Sequence, residues 1–256
     1  MIPALAAPFH DEGHGYDVFG LRPRTLARAI TVGRVFHDAY FRVSSSGIEH
    51  VPASGPTIVI ANHGGILPID AAMLCLDLLL RTDPPRVPRA LADHFVASLP
   101  IVGTLFARLG VVMGTRGNAR RLLERGELLA IWPEGVSGPA KPFSHRYELQ
   151  AWRTGFAELA LRYHAKVIPA AIVGAEESWP MIAKLAGVHA LHIPYLPIPA
   201  TPLPLPAHFH IRYGEPIELV GDPDDPRDVE EAALAGKIAV ENVLADARRG
   251  RTSVWR

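Results

Sequence analysis

Residues 57–70 read Thr-Ile-Val-Ile-Ala-Asn-His-Gly-Gly-Ile-Leu-Pro-Ile-Asp, and this stretch carries the clearest signal of the fold class. Its first five residues form a short apolar run, which is typical of a strand buried on both faces of a parallel sheet. A polar loop with His63 and Asp70 follows, and a helical pattern runs from about Ile69 to Leu80. A buried strand, a polar loop and a helix in succession predict one unit of an α/β fold.

The same alternation continues along the chain. Further strands are predicted at 87–91, 110–113, 128–132, 166–173 and 209–213. Further helices are predicted at 95–109 with a break near Pro100, at 117–125, at 148–164 and at 228–248. The predicted fold class is therefore α/β, with a mainly parallel central sheet flanked by helices. In such sheets, ligands bind at the carboxyl ends of the strands.

The chain before the first of these strands divides into two parts. Residues 1–23 have no clean periodicity and are predicted to be a loose N-terminal arm. Residues 24–46 are predicted to form an amphipathic helix. Its apolar face comprises Leu26, Ile30, Gly33, Phe36 and Tyr40. A helix with a basic opposite face either lies in a bilayer interface or packs on the core, and the sequence leaves both open. Residues 47–256 then form the main domain.

The composition excludes several classes of protein. With 256 residues, 48% of them hydrophobic and 20% charged, the chain is globular. Lys and Arg number 26, as do Asp and Glu, so there is no net basic field for nucleic acid. The one cysteine, Cys75, excludes an internal disulfide framework and a cysteine zinc cluster. Since no apolar run reaches the ~18 residues of a membrane span, we expect a soluble or peripherally attached protein.

The segment 185–211 contains no charged residue and is rich in proline. Proline forbids a regular helix there. Such a segment either faces lipid, lines a channel for an acyl chain, or forms a long loop packed against the sheet. The sequence does not choose among these.

Four short segments carry residues that suit chemistry, and three of them directly follow a predicted strand. His63 is a candidate general base if a carboxylate orients its ring, and Asp70 is the candidate for that role. Seven residues of regular helix would separate the pair by about 10 Å. The Gly-Gly pair and Pro68 argue against continuous helix, so we expect the loop to curl His63 back onto Asp70.

The other three segments contain a candidate anion site, a turn and a proline within a predicted strand. Arg116, in Gly-Val-Val-Met-Gly-Thr-Arg, suits a phosphate through forked hydrogen bonds. Pro133-Glu134-Gly135 ends a strand and puts an acid and free backbone N–H groups at the edge of the site. Val167-Ile168-Pro169 places a proline inside a buried strand, where the missing N–H must be tolerated.

The order and spacing of these four segments resemble those of the glycerolipid acyltransferases, the lysophosphatidic acid acyltransferase-like enzymes. That family shows N-H-(x)4-D, then G-(x)5-R, then P-E-G, then V-x-P. The resemblance runs from about Gly47 to Pro216 and includes the late Arg-Tyr-Gly-Glu-Pro at 212–216. It implies an acyltransferase domain over 47–256 and an enzyme that transfers acyl groups other than amino-acyl groups.

The resemblance also implies a mechanism and partners. A fatty acyl group passes from acyl-CoA or acyl carrier protein to a hydroxyl of a glycerolipid or lysophospholipid, as in phospholipid biosynthesis. His63 would act as general base, and Asp70 would hold its tautomer. Arg116 and the Glu134–Gly135 turn would bind the acceptor head group. No cofactor, metal or nucleic acid is implied; the partners are the acyl thioester donor, the lipid acceptor and a membrane surface, with the protein peripheral on its cytoplasmic face.

The chain departs from the family pattern at two places. His63 and Asp70 are spaced H-(x)6-D, which is more similar to the branch near mono- and diacylglycerol acyltransferases. The P-E-G block continues with Val-Ser-Gly at 136–138 rather than with Thr-Arg or Ser-Arg. Lys141 or Arg146 is then expected to replace the missing arginine, unless the acceptor carries no phosphate.

Other functions stay open or are disfavoured by the sequence. No G-x-S-x-G elbow supports a serine hydrolase, but the same His–Asp pair with water as acceptor would make an acyl-thioesterase. His10 and His14, or His208 and His210, lack the spacing of a catalytic metal site. A catalytically weak or inactive lipid-binding, membrane-associated relative is the alternative from a different class, and the H-(x)6-D spacing is its one support.

Overall fold

A seven-stranded sheet forms the centre of the molecule, with the strand order β1-β9-β6-β2-β5-β3-β4. The computed structural model describes residues 11, 13–186, 195–251 and 253–255. The strands are β1 (Ser44–Ser46), β2 (Thr57–Ala61), β3 (Pro88–Ala92), β4 (Val112–Met113), β5 (Leu128–Ile131), β6 (Lys166–Val173), β7 (Met181–Ala186), β8 (Tyr195–Pro199) and β9 (His210–Tyr213). The strands β7 and β8 form a separate antiparallel pair.

Helices cover both faces of this sheet. They are α1 (Pro23–Arg34), α2 (Ile69–Arg81), α3 (His94–Ser98), α4 (Val102–Arg108), α5 (Arg116–Glu124), α6 (Gly155–Tyr163), α7 (Ala175–Ser178) and α8 (Pro226–Arg249). The apolar side chains of α2 pack on one face of the sheet, and those of α5, α6 and α8 pack on the other. Within the described residues, none of the helices combines the length and the apolar composition that a bilayer crossing requires.

The predicted fold class is confirmed. The strands β6, β2, β5, β3 and β4 run parallel, and β9 joins β6 antiparallel. All five residues of β2 are buried, as its unbroken apolar run predicted. The proline in β6 is tolerated because Pro169 lies one residue before the pairing with β9 begins at Ala170. Parallel pairing places the loops after β2, β3, β4, β5 and β6 at one edge of the sheet.

The prediction of a loose arm over 1–23 is wrong for its second half; residues 1–10 and 12 lie outside the described residues. The Asp17 carboxylate accepts the backbone N–H of Phe19 and Leu21 and pairs with the buried Arg89, Oδ2 to Nη2, at 2.8 Å. The side chain of Leu21 is buried against α1 and α2. The buried ion pair between Asp17 and Arg89 fixes this segment to the core. Such a pair leaves no trace in the apolar periodicity of the sequence.

The helix predicted over 24–46 ends earlier. After α1 the backbone forms a π-helical turn over Val35–Tyr40, and Ser44–Ser46 is the edge strand β1, so the sheet begins before residue 47. The π-helical turn shifts the buried face by one position. Phe36, expected on the apolar face, is therefore exposed, and His37 is buried instead.

Two further predictions need correction or completion. The helix predicted at 148–164 begins only at Gly155, because residues 150 and 153 donate their backbone N–H groups to the loop after β5 instead of to a helix.

The charge-free segment 185–211 contributes to the β7–β8 pair and then returns along the core to the buried Phe209. Its residues 187–194 lie outside the described residues.

A buried polar cluster joins the π-helical turn after α1 to α2, β1 and β9. The fully buried Asp77 carboxylate accepts hydrogen bonds from Tyr213 Oη (2.9 Å), Arg81 Nε (3.0 Å) and Ser45 Oγ (3.1 Å), and His37 Nε2 lies 3.2 Å from it. His37 Nδ1 lies 2.7 Å from Asp38 Oδ1. Burial of the His37 ring lowers its pKa, but hydrogen bonds to the two carboxylates outweigh burial, so the pKa of His37 is raised above its ordinary value.

This raised pKa predicts a pH-dependent stability. The folded state holds the His37 proton more tightly than the unfolded state, so the contribution is fully present below about pH 6.5 and is lost as pH rises through the folded pKa. We expect the difference in free energy of unfolding between wild type and His37→Gln to shrink as pH rises from 6 to 9. Urea unfolding at a series of pH values measures it. A difference that is constant or grows with pH would contradict the assignment.

Candidate active site

The predicted chemical residues lie at one edge of the sheet, beyond the carboxyl ends of parallel strands. His63 follows β2, Glu134 follows β5, and Arg116 follows β4. The strands β2 and β5 are neighbours, whereas β4 lies three strand spacings from β2, or about 14 Å. Sheet order therefore separates the first two residues from the third.

His63 and Asp70 are in direct contact. His63 Nδ1 lies 2.6 Å from Asp70 Oδ2, and the same oxygen accepts the backbone N–H of Gly64 at 3.0 Å. Asp70 is the second residue of α2, and its side chain is 1% exposed, against 16% for His63. Because Asp70 accepts the Nδ1 proton, the lone pair of the neutral ring is on Nε2. The pair thus has the geometry of an oriented general base.

Two buried polar side chains hold the backbone around His63. The Asn62 amide donates to Ile172 O at 3.0 Å and accepts from Ile172 N at 2.7 Å, which fixes the end of β2 to β6. Glu134 Oε1 accepts the backbone N–H of His63 at 3.0 Å, and Glu134 Oε2 accepts the backbone N–H of Gln150 at 2.8 Å. The start of the His63 loop is thereby tied to both neighbouring strands.

Glycines allow this close packing. A Cβ at Gly138 would lie 2.8 Å from both Cβ and the backbone oxygen of His63, so a side chain there would displace the histidine. A Cβ at Gly64 would lie 2.6 Å from Glu176 Cγ. Gly138, the last residue of the Val-Ser-Gly stretch at 136–138, therefore lies directly against His63.

The expectation that Glu134 and Lys141 bind the acceptor head group needs correction. Glu134 is buried, with both oxygens bonded to backbone N–H groups. Lys141 is also buried, and its Nζ lies 2.9 Å from Glu176 Oε1 and 4.0 Å from Glu134 Oε2. Burial raises the pKa of Glu176, and the Lys141 ammonium offsets part of that effect. Lys141 and Glu176 pair their charges inside the protein, where an unpaired charge would be costly. Because Glu134 binds the His63 backbone, this buried cluster supports the His63 loop.

Arg116 is the first residue of α5, and its side chain is 82% exposed. Its Nε and Nη2 lie 3.0 and 2.8 Å from Glu158 Oε2. Gly135 takes a left-handed conformation with φ +54°. Arg146, the other expected substitute, stacks on the ring of Phe143 at 4.7 Å.

A second arginine lies at this edge and was missed from the sequence. A Cβ at Gly135 would lie 3.2 Å from Arg153 Cζ, and Arg153 Nη2 pairs with Asp93 Oδ2 at 3.1 Å. Arg153 thus spans the ends of β5 and β3, within one or two strand spacings, about 5–10 Å, of the strand that carries His63. A glycine-rich turn followed by an arginine was the only local signal, and the 17 residues between Gly135 and Arg153 concealed it.

The described histidines among those considered for a metal site make other contacts or are partly buried. His10 lies outside the described residues, and His14 stacks with Tyr16. Desolvation by burial is the main cause that lowers the pKa of His208 and of His210. In the part of the chain that the structure describes, no three His, Cys, Asp or Glu side chains converge as metal ligands would.

Comparisons with known proteins identify the family of this chain. A family model described as Acyltransferase matches residues 42–173. An uncharacterized protein of Mycobacterium tuberculosis is 35% identical over 94% of this chain and 72% of its own length. A chicken (Gallus gallus) protein described as a DGAT1/2-independent enzyme synthesizing storage lipids is 30% identical over 91% of this chain and 68% of its own length.

The fold has a counterpart among solved structures. The crystal structure of the 1-acyl-sn-glycerophosphate (LPA) acyltransferase PlsC from Thermotoga maritima matches with a TM-score of 0.58 and 18% sequence identity. The match covers 89% of this chain and 81% of that one. At this identity the likeness concerns the fold.

Proposed function

This chain belongs to the acyltransferase family, and on that premise we propose that it moves a fatty acyl group from a thioester to a lipid hydroxyl. The donor is acyl-CoA or acyl carrier protein, and the acceptor is a glycerolipid or lysophospholipid. The observation that supports this most is the 2.6 Å contact of His63 Nδ1 with the buried Asp70.

The chemistry follows from that pair. His63 Nε2 takes the proton of the acceptor hydroxyl as its oxygen attacks the thioester carbonyl carbon. The Asp70 carboxylate stabilises the imidazolium that forms and keeps the ring in one tautomer. The carbon–sulfur bond of the tetrahedral intermediate then breaks, and the leaving thiolate takes the proton from the imidazolium. The products are an ester and a free thiol, and no cofactor is needed.

For the head group, we propose Arg153 together with Arg116 as the contacting cations. Both guanidinium groups are mostly exposed at the carboxyl edge of the sheet, and each is held by one carboxylate. A guanidinium keeps free donors after one such pairing, which suits a phosphate or another polar oxygen. Arg153 is the nearer of the two to the strand of His63.

We also propose that the protein acts peripherally, on the cytoplasmic face of a membrane. The outer surface of α1 and its π-helical turn exposes Val32, Val35 and Phe36, while Leu26 and Ile30 of the same helix are buried. Exposed apolar residues on a basic helix favour the interface of a bilayer. A lipid acceptor is delivered most directly to an enzyme at that surface.

This proposal predicts a specific loss of membrane binding. We expect the triple variant Val32→Asp, Val35→Asp, Phe36→Asp to reduce co-sedimentation with phosphatidylglycerol-containing liposomes at least about tenfold, because three apolar side chains leave the interface. The matched control is Leu234→Asp with Ile238→Asp, which changes two exposed apolar residues of α8. Equal binding by wild type and the triple variant would contradict the assignment of this face.

The test of the function is thiol release from palmitoyl-CoA and palmitoyl-acyl carrier protein, with and without a panel of lipid acceptors, with products resolved by mass. Release that depends on an acceptor supports acyl transfer and identifies the acceptor class. Release without any acceptor would instead indicate a thioesterase. No release from either donor, despite lipid binding, would favour the inactive lipid-binding relative, against which the His63–Asp70 contact already counts.

A further inference from the structure

Glu176 packs against the loop that carries His63. It is the second residue of α7, which follows β6 and the left-handed Gly174 (φ +112°), and its side chain is buried. A Cβ at Gly64 would lie 2.6 Å from Glu176 Cγ, so the glutamate contacts the backbone directly after His63. None of the four sequence motifs described above includes this residue. Its place in the site therefore follows from the tertiary structure.

One ammonium group lies between two buried carboxylates here. Lys141 Nζ lies 2.9 Å from Glu176 Oε1 and 4.0 Å from Glu134 Oε2, and it donates to Glu148 O at 3.1 Å. The side chains of the lysine and of both paired glutamates are at most 7% exposed. Opposite charges attract strongly where water is excluded. The position of the ammonium group therefore depends on which of the two carboxylates holds it.

Glu134 holds His63 only while its two oxygens stay on backbone N–H groups. Oε1 accepts the N–H of His63 at 3.0 Å, and Oε2 accepts the N–H of Gln150 at 2.8 Å. A movement of Lys141 by about 1 Å would bring its ammonium group within hydrogen-bond distance of Oε2. Such a bond would compete with Gln150 and turn the carboxylate that holds His63. Pairing with Glu176 keeps Lys141 at the longer distance.

We propose that Glu176 is a positioning residue for acyl transfer: by holding Lys141 away from Glu134, it keeps Glu134 on the His63 backbone. The inference rests on the acyl transfer proposed above, and it adds a residue that acts on His63 through two others. Misplacing a catalytic group by about 1 Å costs about 10²-fold in rate. We therefore expect Glu176→Gln to lower kcat about 10- to 100-fold. KM for donor and acceptor should stay within about twofold, because the buried Glu176 contacts neither substrate.

A second variant should reverse this loss. Glutamine keeps the size of Glu176 but has one acceptor oxygen, which cannot serve both the Tyr147 N–H, now at 2.8 Å, and Lys141. Lys141 is then free to approach Glu134. In the double variant Glu176→Gln with Lys141→Met, no ammonium group remains to compete for Glu134. Because both members of the buried pair are then neutral, kcat should return to within about threefold of wild type.

Asp17→Asn is the matched control, because it breaks another buried ion pair. Asp17 Oδ2 lies 2.8 Å from Arg89 Nη2, and both side chains are buried. Arg89 is the second residue of β3, at the amino end of the parallel strands, whereas His63 follows the carboxyl end of β2. The control should lower the free energy of unfolding and leave kcat within about twofold, because it is remote from His63. Circular dichroism and urea unfolding give the folded fraction of each variant.

The backbone amide of His63 provides a readout that needs no turnover. Hydrogen exchange of this N–H, followed by amide NMR, reports on its bond to Glu134. Glu176→Gln should accelerate the exchange at least about tenfold, and the double variant should restore the protection. If wild type transfers no acyl group but the amide responds in this order, the proposed function fails and the positioning of His63 by Glu176 stands.

Folded Glu176→Gln with the kcat and the His63 exchange of wild type would overturn the inference. A double variant that is unfolded, or as slow as Glu176→Gln, would do the same. If Glu176→Gln alone does not fold, the double variant decides: a folded protein with the His63 exchange of wild type supports the inference, and one whose His63 amide is unprotected contradicts it. A purely structural role would change the free energy of unfolding of Glu176→Gln and leave the kcat of its folded fraction at the wild-type value.

Discussion

Replacing His63 with alanine is expected to lower the rate of acyl transfer about 10²- to 10⁴-fold without unfolding the protein. This is the range that a positioned general base contributes. The side chain is partly exposed and contacts Asp70 and the ring of Trp132, so its removal leaves the strand β2 and the core intact. The measurement is acceptor-dependent thiol release, with circular dichroism of the variant alongside.

A second histidine–carboxylate pair provides the matched control. His145 Nδ1 lies 2.8 Å from Glu148 Oε2, and both side chains are exposed. His145→Ala should therefore leave the rate within about twofold of wild type, because an exposed pair contributes little. A folded His63→Ala protein with full activity would exclude the proposed general base.

The largest effect on stability is expected from Asp77→Ala. The change leaves Tyr213 Oη and Ser45 Oγ without their carboxylate acceptor and deprives His37 of its buried partner. Breaking a buried charged pair costs about 3–5 kcal/mol of unfolding free energy. For a chain of this size, that corresponds to a fall in Tm of roughly 6–20 °C. Urea and thermal unfolding at pH 7 measure both quantities.

Asp38→Ala is the control for this cluster. Asp38 contacts the same His37 ring but is half exposed, so its removal should cost less than about 1 kcal/mol. If Asp77→Ala were as stable as Asp38→Ala, the buried cluster would not be what holds the π-helical turn after α1 to the sheet. The two carboxylates share the contact with His37 but differ in burial and in their other partners.

Most of the secondary structure could be predicted because its signals are local. The apolar run at 57–61, the helical pattern from 69 and the closing helix near 228–248 each appear in the structure within a few residues. The exceptions have tertiary causes. The helix predicted from 148 starts late because backbone groups of 150 and 153 bond to the loop after β5. The helix predicted to 46 ends early because Ser44–Ser46 pairs with β9.

The candidate site divides in the same way. The sequence pointed to the His63–Asp70 contact, because the short loop that joins His63 to the start of α2 has Gly-Gly and Pro residues that favour a tight turn. It did not predict which charged residues face solvent. Glu134 and Lys141 suited a head group by type, and only the structure shows them buried. Arg153, which was not considered, is the cation that lies across the turn.

The sequence alone was enough to predict the strand–loop–helix units and the mainly parallel sheet, and it pointed to His63 and Asp70 as a pair whose contact the structure then showed. The tertiary structure alone decided that Glu134 supports the His63 backbone, that Arg153 covers Gly135, and that Lys141 lies between Glu134 and Glu176. The reason is physical. Apolar periodicity and turn residues act between neighbours in the chain, whereas these contacts join residues distant in sequence, whose separation is set by strand order and helix packing.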